Sequence, residues 1–177
     1  WEKQYIRNWY TICMELLDQI DMHENVVGVT NKETAHANNL MHRCVAIFVL
    51  NTTGELYVQV HKVNNGLYDS SVGGHVKKGE TYGTAAAREA REELGINQPL
   101  QFVTKIHSPC SISNHMFSLY ECVANKNWQF VPNQEVETII PMKLDAIWQM
   151  MQNQPERFTP DFIKIMNEYR KIMNSIW

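Results

Sequence analysis

Residues 74–96 read GHVKKGETYGTAAAREAREELGI, and this stretch decides the fold and the chemistry expected of the chain. Its alanine-rich middle favours an α-helix over residues 81–94. Glu89, Glu92 and Glu93 are spaced i, i+3 and i+4, so the helix places all three carboxylates on one face. Because these like charges repel one another, the spacing favours a bound divalent cation. Hard oxygen ligands favour Mg²⁺ or Mn²⁺ over zinc.

Glycines precede this helix at Gly73, Gly74 and Gly79. Because glycine tolerates sharp bends, we expect a loop here that brings a backbone carbonyl close to the same cation. Mg²⁺ takes few protein ligands and completes its coordination with water and substrate phosphates. A strand, a glycine loop and a carboxylate-bearing helix therefore predict a metal-dependent phosphate site. The alternative is a solvated helix face whose charges are neutralised by neighbouring arginines.

The spacing of this segment resembles the signature of the Nudix hydrolase superfamily. The fixed positions of that signature are filled by Gly74, Glu80, Arg88, Glu89, Glu92, Glu93, Gly95 and Ile96. Ala90 is a mild departure, since the superfamily prefers a bulkier aliphatic residue there. The resemblance implies an α/β fold, namely an α/β/α sandwich with a mixed β-sheet. It also implies an enzyme that uses Mg²⁺, with Mn²⁺ as an alternative, to cleave a diphosphate linkage in a small molecule.

The resemblance also implies roles for individual residues, carried over by position. The metal ligands would be helix carboxylates and one backbone carbonyl, from Glu89, Glu92, Glu93 and either Gly73 or Gly74. Arg88 would hold a carboxylate of the signature in place, and Glu80 would pair with a basic residue of the loop or helix.

A carboxylate is also needed as the base that takes a proton from the attacking water. Many members of the superfamily place this base in a loop well after the signature, and residues 132–137 (PNQEVE) occupy the corresponding region. Glu135 is our choice of catalytic base, because the pattern Gln-Glu-Val precedes a predicted strand. Glu137, Glu89 and Glu93 are alternatives for the same role.

Beyond the signature, residues 16–62 and 134–163 resemble the subgroup related to type 1 isopentenyl-diphosphate isomerase. That enzyme binds a second metal with three histidines and two glutamates. His36, His42 and His75 stand close to its three histidine positions. These histidines could bind a metal, contact a substrate phosphate or pack, and we predict substrate binding, most directly for His75.

Other elements of the isomerase are absent from the sequence. Its cysteine falls at Gly73, and its pair of acidic ligands falls near Ser113 and His115. Allylic isomerisation needs an acid and a base on opposite faces of the carbon skeleton, so we favour hydrolysis. Cys44 and Cys110 stand at other positions, and we interpret both as small buried apolar residues.

The rest of the chain alternates between strand and helix patterns, which predicts a single domain over residues 1–177. Strands are predicted at 16–21, 26–30, 43–50, 55–62, 101–107, 116–123 and 136–141. Helices are predicted at 1–14, as an N-terminal extension, at 32–38 and 81–94, and at 144–152 and 160–175 within a helical segment 143–177. Asn31, Thr81 and Gly95 supply the expected caps. The turn at 51–54 predicts a β-hairpin between strands 43–50 and 55–62.

Composition narrows the class of protein. The chain has 177 residues, a formal net charge of −3 and 44% hydrophobic residues, which indicates a globular domain without a nucleic-acid-binding surface. The longest apolar run, residues 44–50, is too short to span a membrane as a helix. Four cysteines without a C-x-x-C pair favour a reducing, cytoplasmic location. Because the chain begins with Trp1, a removed targeting segment remains an open alternative.

Two alternatives to hydrolysis therefore remain at this point. One is an isomerase of isopentenyl diphosphate, and the other is a non-catalytic module that binds a diphosphate. Oligomeric state is also open, since Trp1, Trp9 and Trp177 could pack within one chain or across a homodimer.

Overall fold

A computed structural model of the chain describes residues 15–60, 66–110, 113–133, 136 and 138–175. The expected helix at 1–14 and the tryptophans at both ends lie outside the described residues. The described strands are β1 (Leu16–Ile20), β2 (Val26–Asn31), β3 (His42–Leu50), β4 (Leu56–Val60), β5 (Tyr68–Asp69), β6 (Val72–His75), β7 (Gln101–Pro109), β8 (Asn114–Val123) and β9 (Thr138–Met142). The described helices are α1 (Lys32–Ala37), α2 (Tyr82–Leu94), α3 (Leu144–Asn153), a short 3-10 helix (Pro155–Arg157) and α4 (Pro160–Ser175).

Strand β3 forms the centre of the fold. It is apolar over most of its length, and its side chains alternate between the two faces of the sheet. Ala46 and Phe48 pack into a core shared with α3 and α4. Val45 and Ile47 pack into a second core, shared with α2. Helices therefore cover both faces of the sheet, and the predicted α/β/α sandwich is confirmed.

The sheet around β3 is mixed, as predicted. Strand β8 pairs with β3 in parallel, from His42 opposite His115 to Leu50 opposite Val123. Strand β6 pairs with β3 antiparallel on its other side, and β7 continues the sheet beyond β8. Strands β1 and β2 extend the sheet from the beginning of β3. The beginnings of β3 and β8 and the end of β6 are thereby brought side by side.

The predicted β-hairpin between β3 and β4 is confirmed next to its turn, but the pairing does not continue along the two strands. The two strands pair only next to the turn, with Leu50 opposite Leu56. Strand β4 then pairs along its length with β9, with Leu56 opposite Met142 and Val60 opposite Thr138. The alternating pattern of β4 shows which residues are buried but not which strand is the partner, and sequence proximity favoured the wrong neighbour.

Helix α2 begins and ends as the sequence predicts. The Thr81 hydroxyl accepts a hydrogen bond from the Thr84 backbone N–H, and Gly95 ends the helix in a left-handed conformation with φ of 65°. Helix α1 is capped in the same way by Asn31. Helix α4 begins at Pro160, and the Thr159 hydroxyl accepts from the Phe162 backbone N–H at 3.2 Å.

The glycine segment before α2 differs from the expectation of a bent loop. Gly73, Gly74 and His75 belong to the extended strand β6, so His75 ends a strand rather than lying inside a loop. The bend comes later, at Gly79, whose φ is +74°. None of the helices among the described residues is both long and apolar enough to span a bilayer.

Candidate functional site

An arginine joins three carboxylates of the signature segment. Arg88 contacts both oxygens of Glu80, at 3.1 Å from Nε and 2.9 Å from Nη2. Its Nη1 lies 2.6 Å from Oε1 of Glu89 and 3.3 Å from Oε2 of Glu92. Its Nη2 also donates to the carbonyl oxygen of His75, at 3.0 Å. Arg88 therefore fixes the last residue of β6 against the acidic face of α2.

The three helix carboxylates differ in exposure. Glu89 and Glu93 are buried, whereas 44% of the Glu92 side chain is exposed. Burial raises the pKa of Glu89, and the contact with Arg88 opposes that rise. Oε2 of Glu93 accepts a hydrogen bond from Nε2 of the buried Gln59 at 3.0 Å. One face of α2 thus presents carboxylates of different depth, each oriented by a neighbouring side chain.

The close approach of β6 to α2 depends on Gly74. A Cβ atom at this position would lie well inside van der Waals contact with the carboxyl group of Glu89. Gly73 has no such neighbour within 4 Å. Hard carboxylate oxygens beside an extended glycine backbone are a donor set that suits Mg²⁺ or Mn²⁺. The carboxylates of α2 and the backbone of β6 therefore offer the oxygen ligands that the expected divalent cation requires.

Four histidines form a separate cluster on the other face of β6. His36 lies on α1, His42 on β3, His75 on β6 and His115 on β8. One ring nitrogen from each lies within 4.8 Å of those of the others. The Nε2 atoms of His36 and His75 are 3.2 Å apart. His42 and His115 stand opposite each other on paired strands, and their ring centroids are 4.7 Å apart.

Neighbouring acceptors set the proton positions on two of these rings. Nδ1 of His42 lies 2.8 Å from the Leu40 carbonyl oxygen, and Nδ1 of His115 lies 3.0 Å from Oδ2 of Asp161. Both acceptors require Nδ1–H, so Nε2 carries the lone pair in each ring. Among the described residues neither Nε2 atom has a hydrogen-bond partner, although both are buried.

Three rings of the histidine cluster have lowered pKa values. Burial lowers the pKa of His42 to about 4. Burial and then the nearby ring of His42 lower the pKa of His75 to about 2. Burial also lowers the pKa of His36. Burial acts to raise the pKa of Asp161, but hydrogen bonds from His115 and Ser108 outweigh it and hold that pKa below its ordinary value. The imidazoles of His36, His42 and His75 are therefore neutral at neutral pH, and they lie near an ionised carboxylate.

A cavity of about 680 Å³ lies against the histidine cluster. His36, His75 and His115 line it, together with Gly73, Gly74, Gln59, Ser70 and Ser113. The charged residues among its described lining are Lys32, Asp69 and Asp161. Among the described residues, strand β6 pairs only with β3, so its other edge is unpaired. The cavity and the acidic face of α2 lie on opposite faces of β6 and adjoin at this unpaired edge. Gln59 belongs to both, because it lines the cavity and donates to Glu93.

The structure brings most of the predicted site residues to these two clusters. Glu135 and Glu137, considered as the base, lie outside the described residues. Cys44 is buried, as expected, but Cys110 is only partly buried, and its Sγ lies 2.9 Å from Oγ of Ser113. No carboxylate occupies the positions of Ser113 and His115, as the sequence indicated.

Three residues that sequence reasoning missed belong to the site: Gln59, His115 and Asp161. His115 was considered only as the place of a missing acidic ligand. In the structure His115 stands opposite His42 on the parallel strand β8, which places it in the cluster. The sequence alone did not show that these two residues stand opposite each other. Asp161 gave one usable signal, its position in the first turn of a helix that begins with Thr-Pro.

The chain is similar to known proteins over most of its length. The NUDIX domain model matches residues 40–162. A protein of Photorhabdus laumondii named isopentenyl-diphosphate Delta-isomerase 2 is 28% identical over 161 residues, covering 86% of this chain and 91% of its own length. An uncharacterized Nudix hydrolase of Streptomyces coelicolor is 40% identical over 85 residues, covering 46% of this chain and 47% of its own.

Solved structures show the same fold. The crystal structure of DR0079 from Deinococcus radiodurans has a TM-score of 0.65 and 25% identity, covering 79% of this chain and 90% of that one. The MutT protein of Methanosarcina mazei has a TM-score of 0.57 at 18% identity, covering 74% of this chain and 96% of that one. The residues matched by the NUDIX domain model make up more than half of the chain and include α2 and three of the clustered histidines, His42, His75 and His115, and on this basis the chain belongs to the Nudix family.

Proposed function

We propose that this chain is a divalent-metal-dependent hydrolase that cleaves a diphosphate linkage in a nucleoside diphosphate derivative or a related small molecule. The observation that carries the proposal is the contact of Arg88 with Glu80, Glu89 and Glu92 beside the glycine strand β6. A cluster of oxygen ligands next to a cavity of about 680 Å³ suits a small phosphate ester. Family membership and relatives named Nudix hydrolases agree with it.

In this proposal Glu89, Glu92 and Glu93 hold Mg²⁺, for which Mn²⁺ is an alternative, together with a carbonyl of Gly73 or Gly74. The bound ion would supply charge neutralisation for the phosphate oxygens and a lowered pKa for water. Arg88 keeps Glu89 and Glu92 oriented toward the ion. In this proposal a carboxylate near the attacking water accepts the proton.

The proposed base is Glu135, and Glu137, Glu89 and Glu93 are the alternatives. The raised pKa of Glu89 supports it as a proton acceptor, because a base works best when its pKa approaches the working pH. Replacing Glu135 by Gln distinguishes Glu135 from the other candidates. Loss of turnover with retained metal binding would assign the base to Glu135.

The cavity is the proposed place for the rest of the substrate, with His36, His42 and His75 as binding residues. Its described lining carries two carboxylates, Asp69 and Asp161, against one lysine, Lys32. A diphosphate there would be repelled unless cations are bound close by. Binding of the substrate is therefore expected to depend on metal.

The test is a screen of diphosphate compounds with Mg²⁺ and with Mn²⁺, scored by phosphate release and product mass. Replacing Glu92 and Glu93 by Gln should abolish turnover of any substrate found. Glu156→Gln is the matched control, because Glu156 is an exposed glutamate of the 3-10 helix outside the site. Full activity in the double variant would refute the proposal.

Isomerisation of isopentenyl diphosphate is the second candidate, because two relatives that cover more than four fifths of the chain carry that name. Against it, glycine stands at position 73, where the resemblance places the isomerase's cysteine. Incubation with isopentenyl diphosphate in D₂O distinguishes the two, since only isomerisation incorporates deuterium into the allylic product. A diphosphate that raises the melting temperature but is never cleaved would instead favour a binding module.

A further inference from the structure

A buried carboxylate of β1, outside the Nudix signature, holds the turn that precedes α2. Oδ2 of Asp18 accepts hydrogen bonds from the Gly79 backbone N–H at 2.9 Å and from Nη2 of Arg43 at 2.8 Å. We propose that Asp18 is a positioning residue for the metal site of α2, because it fixes the turn that carries Glu80 and thereby orients Arg88. This inference rests on the proposed role of the α2 carboxylates as metal ligands.

The turn before α2 consists of residues 77–80. The Glu80 backbone N–H donates to the Lys77 carbonyl oxygen at 2.9 Å, and Gly79, the third residue of the turn, has a φ of +74°. A turn with a positive φ at its third residue favours glycine there. Because the hydrogen bond that closes the turn uses the N–H of Glu80, the N–H of Gly79 needs an acceptor from outside the turn. Asp18 provides that acceptor.

Strand β1 contacts the same turn through its backbone as well. The Leu16 carbonyl oxygen accepts a hydrogen bond from the Lys78 backbone N–H at 2.7 Å. Leu17 stands opposite Lys77 in an isolated antiparallel bridge. The backbone of β1 therefore holds the first half of the turn, and the side chain of Asp18 holds its third residue.

The charge of Asp18 adds little to stability by itself. The side chains of Asp18 and Arg43 are 8% and 16% exposed, and the cost of removing two charges from water can equal or exceed their attraction. An apolar pair of similar volume would therefore serve the fold as well. Such a pair would not accept the Gly79 N–H, so the hydrogen bond to the turn is what the carboxylate contributes.

The position of the turn determines the position of Glu80. Both oxygens of Glu80 contact Arg88, at 3.1 and 2.9 Å, and its Oε2 also accepts from the Lys77 backbone N–H at 3.1 Å. Arg88 in turn contacts Glu89 and Glu92. A shift of the turn therefore moves the arginine that orients two of the proposed metal ligands.

The first residue of α2 has a separate contact with the β1–β2 turn. The Tyr82 hydroxyl donates a hydrogen bond to Oε2 of Glu24 at 2.8 Å. Because this contact does not involve Asp18, α2 should stay attached to β1 and β2 when Asp18 is replaced. The expected result is a displaced turn and a weaker metal site in a folded protein.

The test measures the Mn²⁺ affinity of the full chain by calorimetry. Asp18→Ala should weaken Mn²⁺ binding about 10-fold, the lower end of the range for residues that orient metal ligands. Asp18→Asn should retain most of the affinity, because its amide oxygen can still accept the Gly79 N–H. Unchanged affinity in Asp18→Ala, or equal losses in the two variants, would overturn the proposal.

A second variant serves if Asp18→Ala does not fold. Asp18→Val combined with Arg43→Met removes the acceptor for Gly79 without leaving a buried charge unpaired. This double variant should show the same loss of Mn²⁺ affinity, about 10-fold. Wild-type affinity in it would contradict the proposal.

Ile20→Ala is the matched control for loss of stability. Ile20 is a buried residue of the same strand, and it packs with Met41 and Met116. Ile20→Ala should lower the melting temperature but leave Mn²⁺ affinity unchanged. A loss of affinity as large as that of Asp18→Ala would show that Asp18 acts only through general stability, and it would refute a positioning role.

Combination with Arg88→Ala tests the route from Asp18 to the metal site. In the Arg88→Ala background, Asp18→Ala should cause no further loss of Mn²⁺ affinity, because the contact through which it acts is already gone. A full additional 10-fold loss would contradict this route.

The variant with Glu92 and Glu93 both replaced by Gln distinguishes this inference from the proposed function. If that variant binds Mn²⁺ as tightly as the wild type, the proposed metal site fails, and the positioning role fails with it. If that variant loses Mn²⁺ binding but Asp18→Ala binds like the wild type, only the positioning role of Asp18 fails.

Discussion

The carbonyl oxygen of His75 accepts a hydrogen bond from Nη2 of Arg88 at 3.0 Å, while the imidazole of the same residue lies in the histidine cluster. His75 therefore joins the two faces of strand β6. Its backbone is fixed by the arginine that orders the α2 carboxylates, and its side chain is fixed by His36 and His42. A structural change at either cluster therefore reaches the other cluster through His75.

Removing Arg88 should destabilise the protein more than its position on a surface helix suggests. Arg88→Ala leaves Glu80 and Glu89 without their shared partner, and their side chains are only 14% and 10% exposed. Breaking a mostly buried ion pair costs about 3 kcal/mol or more. Urea denaturation measures the difference, with Arg91→Ala, an exposed arginine on the same helix, as the control. A loss no larger than that of Arg91→Ala would show that the network contributes nothing.

Arg88→Lys keeps the charge but not the geometry. Lysine lacks the planar fork that reaches Glu80, Glu89 and the His75 carbonyl together, so we expect stability between that of the wild type and Arg88→Ala. Mn²⁺ affinity, measured by calorimetry, should also fall, because Glu89 loses its orientation. Wild-type values for both quantities would mean that charge alone matters.

Gly74→Ala should be far more damaging than Gly73→Ala. The new methyl group at position 74 overlaps the carboxyl group of Glu89, whereas nothing lies within 4 Å of a Cβ at position 73. We expect Gly74→Ala to lower the free energy of unfolding by about 1–3 kcal/mol and Gly73→Ala to change it little. Thermal denaturation of the two variants, and Mn²⁺ binding by the first, check this. Equal stability would mean that Glu89 moves aside without cost.

Gln59→Ala should weaken metal binding at α2 without unfolding the protein. The variant removes a buried donor to Oε2 of Glu93, and residues that orient ligands typically change metal affinity about 10–100-fold. Calorimetry with Mn²⁺ measures the effect. Gln149→Ala, an exposed glutamine on α3, is the control. An unchanged Mn²⁺ affinity would argue that Gln59 serves only the cavity.

A contact that joins Glu24 to β7 and to the beginning of α2 should make stability depend on pH. Burial acts to raise the pKa of Glu24, but hydrogen bonds from Lys105 and Tyr82 outweigh it and hold that pKa below 4.5. A carboxyl whose pKa is lower in the folded state stabilises the protein above its unfolded pKa, and this contribution disappears as pH falls through the folded pKa. The stability difference between wild type and Glu24→Gln should therefore be largest near neutral pH and shrink below about pH 4.5.

Urea denaturation from pH 7 to pH 3 checks this dependence. Glu33→Gln, at an exposed glutamate of α1, should show a small difference at every pH. If the difference for Glu24→Gln stayed constant across the range, the carboxylate would not be coupled to Lys105 and Tyr82.

Local signals allowed much of the fold to be predicted. Helix α2 lies between a threonine cap and a left-handed glycine, both visible in the sequence. The run of β-branched residues in β3 was readable because the strand is buried on both faces. The spacing of Glu89, Glu92 and Glu93 predicted three carboxylates on one helix, and α2 contains all three.

Pairing over long distances was not predictable in the same way. Strand β6 was missed because Gly73 and Gly74 have weak strand propensity, and the edge of β3 imposes the extended conformation on them. His115 and Asp161 join the histidine cluster through strand register and helix docking, which leave no local trace in the sequence. The acidic helix could therefore be predicted from the sequence, whereas the full histidine cluster is visible only in the structure.

The residues of the histidine cluster emerge from the ribosome in a fixed order. His36, His42 and His75 belong to the first half of the chain, but His115 comes later, and the carboxylate that orients it follows only with α4. Because distant residues gather only as the chain folds, the cluster would be completed only after the C-terminal helix docks. A truncated or stalled chain would then lack the contact between His115 and Asp161.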